Sequence, residues 1–225
     1  RRATRSFWMR PLAILFYLGV AGFGLWHGTR STDDTLARFA PPQVRTTIAA
    51  EQWWDGDWMQ LPARRNEFLT ERAWPLNLQY AGDIDTLRAQ LLQAGWQPGP
   101  SASLETLLAI LDKSATPETL PVLPASHNGH SDALLMSRPG PAPDTRLVLH
   151  LWFAPLALGT DEVPVWQGAA ALLHFGQELS LFQVWRVQHD SPAGLEVLEQ
   201  SLPTFARKRV HREDEPGVTL LLREP

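Results

Sequence analysis

Residues 127–132 read His-Asn-Gly-His-Ser-Asp, with two imidazoles three positions apart and a carboxylate beside them. Neutral imidazoles and an aspartate can hold zinc or another divalent ion. Such a site works only if each ring is held rigidly by a second layer of hydrogen bonds. Here the surrounding residues are Asn, Gly and Ser, lying between Pro124 and Pro139. The expectation is a solvent-exposed loop in which His127, His130 and Asp132 form no tight metal site. A second constellation is Asp55 and Asp57, which flank Gly56 among Trp53, Trp54 and Trp58. Paired carboxylates beside aromatics can line a sugar cleft, but a tight turn on an aromatic mini-core explains the same residues. His150 sits inside an apolar run and His174 near the end of another, as core or edge histidines do. Arg207-Lys208-Arg209 reads as a solvated basic face, with anionic headgroups or a phosphate as the competing partner. The chain holds no G-x-S-x-G, no P-loop and no G-x-G-x-x-G. No cofactor is expected, and catalytic residues stay unassigned.

The elements that would position these residues follow from hydrophobic period and punctuation. Trp74–Tyr80 alternates, with Leu76, Leu78 and Tyr80 on one face, and predicts a strand. Asp83 is a good N-cap for a helix whose stripe is Ile84, Leu87, Leu91 and Leu92, and Gly95 suits the position after its end. Leu104, Leu107, Leu108 and Leu111 predict a second helix over 104–112, capped by Ser103. Arg146–Phe153 predicts a strand with Leu147, Leu149, Leu151 and Phe153 on one face and Val148, His150 and Trp152 on the other. Further strands are expected over 163–175, 181–187 and 217–223. Ser191-Pro192 opens a helix running to about Leu202. The resulting fold class is α+β, a mixed and largely antiparallel sheet with packed helices.

One stretch argues for a membrane. From Pro11 to Trp26 the chain carries no charge, Trp8 and Trp26 flank it, and Arg1, Arg2, Arg5 and Arg10 precede or abut it. A bilayer span needs roughly 17–25 apolar residues, which Phe7–Gly28 supplies if Arg10 snorkels to the interface. The sequence thus predicts one transmembrane helix ahead of the folded part, with the bulk of the chain on the non-cytoplasmic, periplasm-like side. A signal peptide or a buried core helix are the competing readings. The expected organisation is a basic flank and span at 1–28, a linker at 29–50 and a soluble domain at 51–225. The 225 residues carry a formal net charge of −4 and no basic stripe, which argues against nucleic acid. No cysteine is present, which excludes disulfides, thiolate catalysis and Cys-ligated zinc.

Several segments carry a family resemblance in order along the chain. They are W-W-D-G-D-W-M-Q-L-P-A-R-R at 53–65, P-L-N-L-Q-Y-A-G-D-I-D-T-L-R-A-Q-L-L-Q-A-G-W at 75–96, and L-P-V-L-P-A-S-H-N-G at 120–129. R-L-V-L-H-L-W-F and V-P-V-W-Q-G follow. Together they resemble the LssY C-terminal domain over roughly residues 45–220. The resemblance implies a domain that stands behind a membrane helix or behind membrane modules of the DedA and PAP2 lipid-phosphatase types. It implies an extracytoplasmic accessory role, with the bilayer and either such a membrane protein or an envelope lipid as partners. It carries over no catalytic residues. The PAP2 phosphatase signatures are missing: P-A-S-H at 124–127 lacks the Gly of P-S-G-H, and Ser137-Arg138 lacks the His and Asp that should follow. Two function classes result, an accessory binding domain and an envelope hydrolase of lipid phosphate or glycan working through the His127/His130 loop or the Asp55/Asp57 pair.

Overall fold

Two long strands organise the domain, β7 (Thr145–Leu158) and β8 (Val163–Glu178), which form an antiparallel hairpin. The computed structural model describes residues 45–65, 74–100, 115–178, 182–188, 191–213 and 217–224 of the chain. In chain order the remaining elements are β1 (Thr46–Ile48), α1 (Ala50–Asp55), a 3-10 turn (Asp57–Gln60), β2 (Leu78–Ala81), α2 (Ile84–Gln93), and β3 (Gln97–Pro98). They continue with β4 (Ser126–His127), β5 (His130–Ser131), β6 (Leu134–Pro139), β9 (Phe182–Val187), α3 (Ala193–Ser201), β10 (Ala206–His211) and β11 (Val218–Arg223). The main sheet runs β10-β11-β2-β8-β7-β6-β3. Off this path β1 pairs in parallel with the last residues of β7, and β9 pairs with the second half of β8. Strands β4 and β5 form a small separate hairpin.

The sheet is covered on both faces, and side-chain alternation sorts the covers. Leu147, Leu149 and Leu151 of β7, with Ala170 and Leu172 of β8, meet Leu87 and Leu91 of α2 and Leu195 and Leu198 of α3. Gly194 is where α3 lies closest to the sheet, since a Cβ there would meet the Ala170 backbone at 2.6 Å. On the opposite face, Trp53, Trp58 and Leu61 cover one end over Ala154, Leu156, Val165 and Leu221. Val122, Trp74 and Leu76 cover the other, over Val148, Trp152, Ala169 and Leu173. The division of β7 expected from the sequence thus holds for Leu147, Leu149 and Leu151 against Val148 and Trp152.

Several expectations are corrected. The α+β balance with packed helices gives way to a mostly β fold, with 45% strand against 20% helix and three helices among the described residues. The cause lies in the central strands. Pro155 argues for ending β7 at Phe153, yet the strand continues through a bulge between Phe153 and Ala157 and reaches Leu158. A bulge is where a proline, having no N–H to donate, is tolerated in a sheet. The expected transmembrane helix finds no support. The longest helix described has ten residues, about 15 Å at 1.5 Å per residue against a hydrocarbon core of about 30 Å. No described helix is long and apolar enough to cross a membrane, and Phe7–Gly28 lies outside the described residues. The helix expected over 104–112 also lies outside them. Thr46–Ile48, expected as linker, is a strand, and the compact unit begins at Gln43. Leu76 precedes the strand at 78–81 and packs on the opposite face from Leu78 and Tyr80.

Candidate functional site

The sequence Asn128-Gly129 closes the β4–β5 hairpin with both residues at positive φ, 49° and 79°. That is the backbone a two-residue turn between right-twisted strands demands, and Asn-Gly is the pair that adopts it with least strain. The hairpin is pinned to β7 by its base. Trp152 Nε1 donates to the Ala125 carbonyl at 3.1 Å, and Ala133 N donates to the Leu151 carbonyl at 2.8 Å. Residues 126–131 are therefore a built hairpin, where the sequence reading expected an open loop.

The three residues of the metal hypothesis separate. His127 is buried, its ring 5.8 Å from Trp152, and Asn128 Nδ2 donates to its Nε2 at 3.2 Å. Burial, with lesser contributions from Arg65 and His130, pushes the His127 ring down to about 4. Asp132 accepts the Nδ1 proton of His150 at 2.7 Å. Among the described residues no group of three or more His, Cys, Asp or Glu side chains is placed to hold a metal ion.

His150 is the more informative residue. It stacks on Trp152 with centroids 5.6 Å apart and planes 7° apart, and Trp74 packs edge-on at 5.1 Å. Burial lowers its pKa, with Asp132 opposing through its hydrogen bond and charge. A neutral ring donating Nδ1–H to Asp132 leaves Nε2 as a lone-pair acceptor. That atom is buried and has no hydrogen-bond partner. Histidine oriented by a carboxylate is two-thirds of a nucleophile-activating triad, but no hydroxyl approaches Nε2 among the described residues. The pair can fix a ring and accept a proton, and among the described residues no nucleophile stands within its reach.

The other sequence candidates are used structurally. Trp53 and Trp58 are buried and bridged by Gln79, which accepts from Trp53 Nε1 and donates to the Trp58 carbonyl, each at 2.9 Å. The indoles of Trp53 and Trp58, inside the core, offer no face to a sugar, whereas Trp54 is half-buried. Asp55 is exposed and meets Lys208 Nζ at 3.5 Å. His174 pairs with Asp144 at 2.8 Å on the surface. On β10, at the sheet edge, Arg209 makes a two-pronged contact with Glu199 at 2.7 Å per bond. Arg207 donates to the Glu199 carbonyl at 3.1 Å, and Lys208 donates to the Trp54 carbonyl at 2.8 Å.

Sequence reasoning missed a cavity of about 210 Å³ on the His150 face of the sheet. Trp74 and Trp185 line it together with Leu120, Val122 and Leu173, and Gln183 is the polar residue among the described lining. Trp185 is pinned by donating its Nε1 proton to the Leu120 carbonyl at 3.0 Å. Trp74 therefore serves two neighbours, lining the cavity and packing against His150. The signal was the run Leu120-Pro-Val-Leu-Pro inside an otherwise polar region, too apolar for an idle loop.

The architecture defines a mostly β domain, a sheet built on one long hairpin and covered on both faces, with an apolar cavity beside a buried Asp-His pair. The chain belongs to the LssY C-terminus family, whose model matches residues 58–190. No curated protein and no solved structure matches it. The matched span contains Trp74, Asp132, His150 and Trp185, so the cavity and the Asp-His pair lie within the family domain.

Proposed function

We propose that this chain is an accessory binding domain on the non-cytoplasmic side of a membrane, serving a lipid-handling membrane protein of the DedA or PAP2 type. The cavity between Trp74 and Trp185 carries the reading. Its volume of about 210 Å³ falls below the roughly 300–1,000 Å³ of sites for drug-sized ligands. It therefore takes one apolar chain or ring rather than a whole lipid. Several wall residues, among them Trp74, Leu123, Val184 and Trp185, are only half-buried, so a ligand can enter from solvent. The hydrolase alternative is weaker because His127 is buried and held neutral, and Asp132 is committed to His150. The arginines preceding Pro11 support the non-cytoplasmic side.

The test is calorimetric titration of the full chain, held in amphipol, with dodecanol. The expected result is saturable binding with a negative heat-capacity change, the mark of apolar burial. Val184→Trp, which fills the cavity from its half-buried wall, should abolish it. Binding left intact by Val184→Trp would remove the cavity from the reading. For sidedness, alkaline phosphatase fused after Pro225 should be active in intact bacteria, and an expressed but silent fusion would contradict it.

A further inference from the structure

Among the described residues that line the cavity, none carries an ionisable side chain. The guanidiniums stacked on Trp74 and Trp185 belong to Arg65 and Arg146, which are not part of that lining. A charged head drawn in among the lining side chains would lose water without gaining a counter-charge. The polarity that the lining does offer is the side-chain amide of Gln183. Gln183 stands opposite Gln177 of β8 and two positions along β9 from Trp185, which stands opposite Phe175. Alternation therefore puts Gln183 on the same sheet face as the Trp185 indole. Gln183 is half-buried, and among the described residues its amide has no hydrogen-bond partner.

A side-chain amide presents N–H donors and a carbonyl acceptor side by side. A single hydroxyl meets one of them in good geometry, a carboxylate only accepts, and an ammonium only donates. A second amide answers both at once. The fold already uses this complementarity elsewhere. Asn77 Oδ1 accepts from Ala170 N, and Asn77 Nδ2 donates to the Ala170 carbonyl, each at 2.9 Å.

We propose that the cavity takes a neutral chain bearing an amide, with its apolar part against Trp74, Val122, Leu173 and Trp185 and its amide paired with the side chain of Gln183. The proposal rests on the binding reading above and names the head group of the ligand. Chain and head act together. The apolar lining holds a chain whatever its head, and Gln183 selects the head that both donates and accepts. Trp185 is fixed beside it by the bond to the Leu120 carbonyl.

Calorimetric titration of the full chain in amphipol with octanamide, N,N-dimethyloctanamide, octanol, octanoate and acetamide, at fixed pH and ionic strength, separates the contributions. Octanamide should bind about fivefold or more tightly than octanol, the scale of one net hydrogen bond, and more tightly than octanoate. N,N-dimethyloctanamide keeps the carbonyl but has no N–H, and should fall back toward octanol. Gln183→Met, close in volume and unable to pair with an amide, should erase the preference for octanamide. Octanol should still bind that variant, which also shows that it is folded. Equal affinity for octanamide and octanol, or tighter binding of octanoate, would overturn this inference and leave the binding reading standing. So would a preference for octanamide that survives Gln183→Met. Acetamide binding as tightly as octanamide would overturn it too, because the chain would then contribute nothing. Failure of every chain, octanol included, would overturn the binding reading itself.

Discussion

At the scale of single residues, Asp132 decides what the polar cluster is. Its neighbours in sequence are His130 and His127, yet its carboxylate serves His150, eighteen positions on, because the hairpin folds back over β7. Asp132→Ala should therefore destabilise the fold by about 1–3 kcal/mol, the cost of leaving the buried Nδ1–H unsatisfied. Urea midpoints read this directly. The double variant Asp132→Leu, His150→Phe should recover part of the loss, since replacing both partners removes the orphan. Full additivity of the two single losses would mean that the pair does not act as one unit. The histidines also set a pH dependence, and its sign follows from their direction. His127 is held at about 4 and His150 is lowered by burial, so both refuse protons that the unfolded chain accepts near its ordinary histidine value. Stability should fall as pH drops from about 6.5, the unperturbed value, toward 4. His127→Gln should flatten that slope, and a stability profile level across the window would show that neither ring is held neutral.

At the scale of elements, the helix α2 was legible almost residue by residue. Asp83 Oδ1 accepts from the amides of Asp85 and Thr86, and Gly95 takes φ 83° just past the helix end. The stripe was one residue too wide, since Leu87 and Leu91 are buried while Leu92 is 47% exposed. Leu87→Ala should cost about 2–5 kcal/mol and Leu92→Ala less than about 0.5 kcal/mol, both measured as shifts in urea midpoint. Equal losses would mean that the helix is rotated from this orientation. Where legibility failed, the reasons are local. Asn128-Gly129 is a strong hairpin signal, but strands of two residues show no alternation to accompany it. β10 hides behind Arg-Lys-Arg, where alternation separates Arg207 and Arg209 from Lys208 rather than apolar from polar. The cavity was illegible for a different reason. Its walls come from Trp74, Leu120–Leu123, Leu173 and Trp185, and only the pairing of β8 with β9 and the return of the Leu120 segment bring them together.

At the scale of the whole molecule, the question is where the folding unit begins. Sequence composition sets the boundary at residue 51, after Pro41-Pro42 and a polar run. The structure includes Thr46–Ile48, three residues that pair in parallel with Leu156, Ala157 and Leu158 at the far end of β7. That end lies beyond the bulge, where β7 is held to β8 only by the pairs Ala157–Pro164 and Leu158–Val163. Pro164 brings no N–H to its pair, so the ladder there is thin without β1. Ile48 also packs against the cluster of Trp53, Leu156 and Leu158. Gly159 N donates to the Ile48 carbonyl at 2.8 Å, tying the β7–β8 turn to the same strand. Removing residues before Glu51 deletes this strand, exposes the Leu156–Leu158 edge and opens one end of the tryptophan cluster. A fragment from Gln43 to Pro225 should therefore unfold in urea as a single cooperative step. A fragment from Glu51 to Pro225 should have a lower midpoint, and its amides at 156–159 should exchange ahead of the global transition, because loss of β1 frees that segment first. Equal midpoints, with those amides still protected to the global limit, would return the boundary to residue 51 and reduce β1 to an ornament on the sheet.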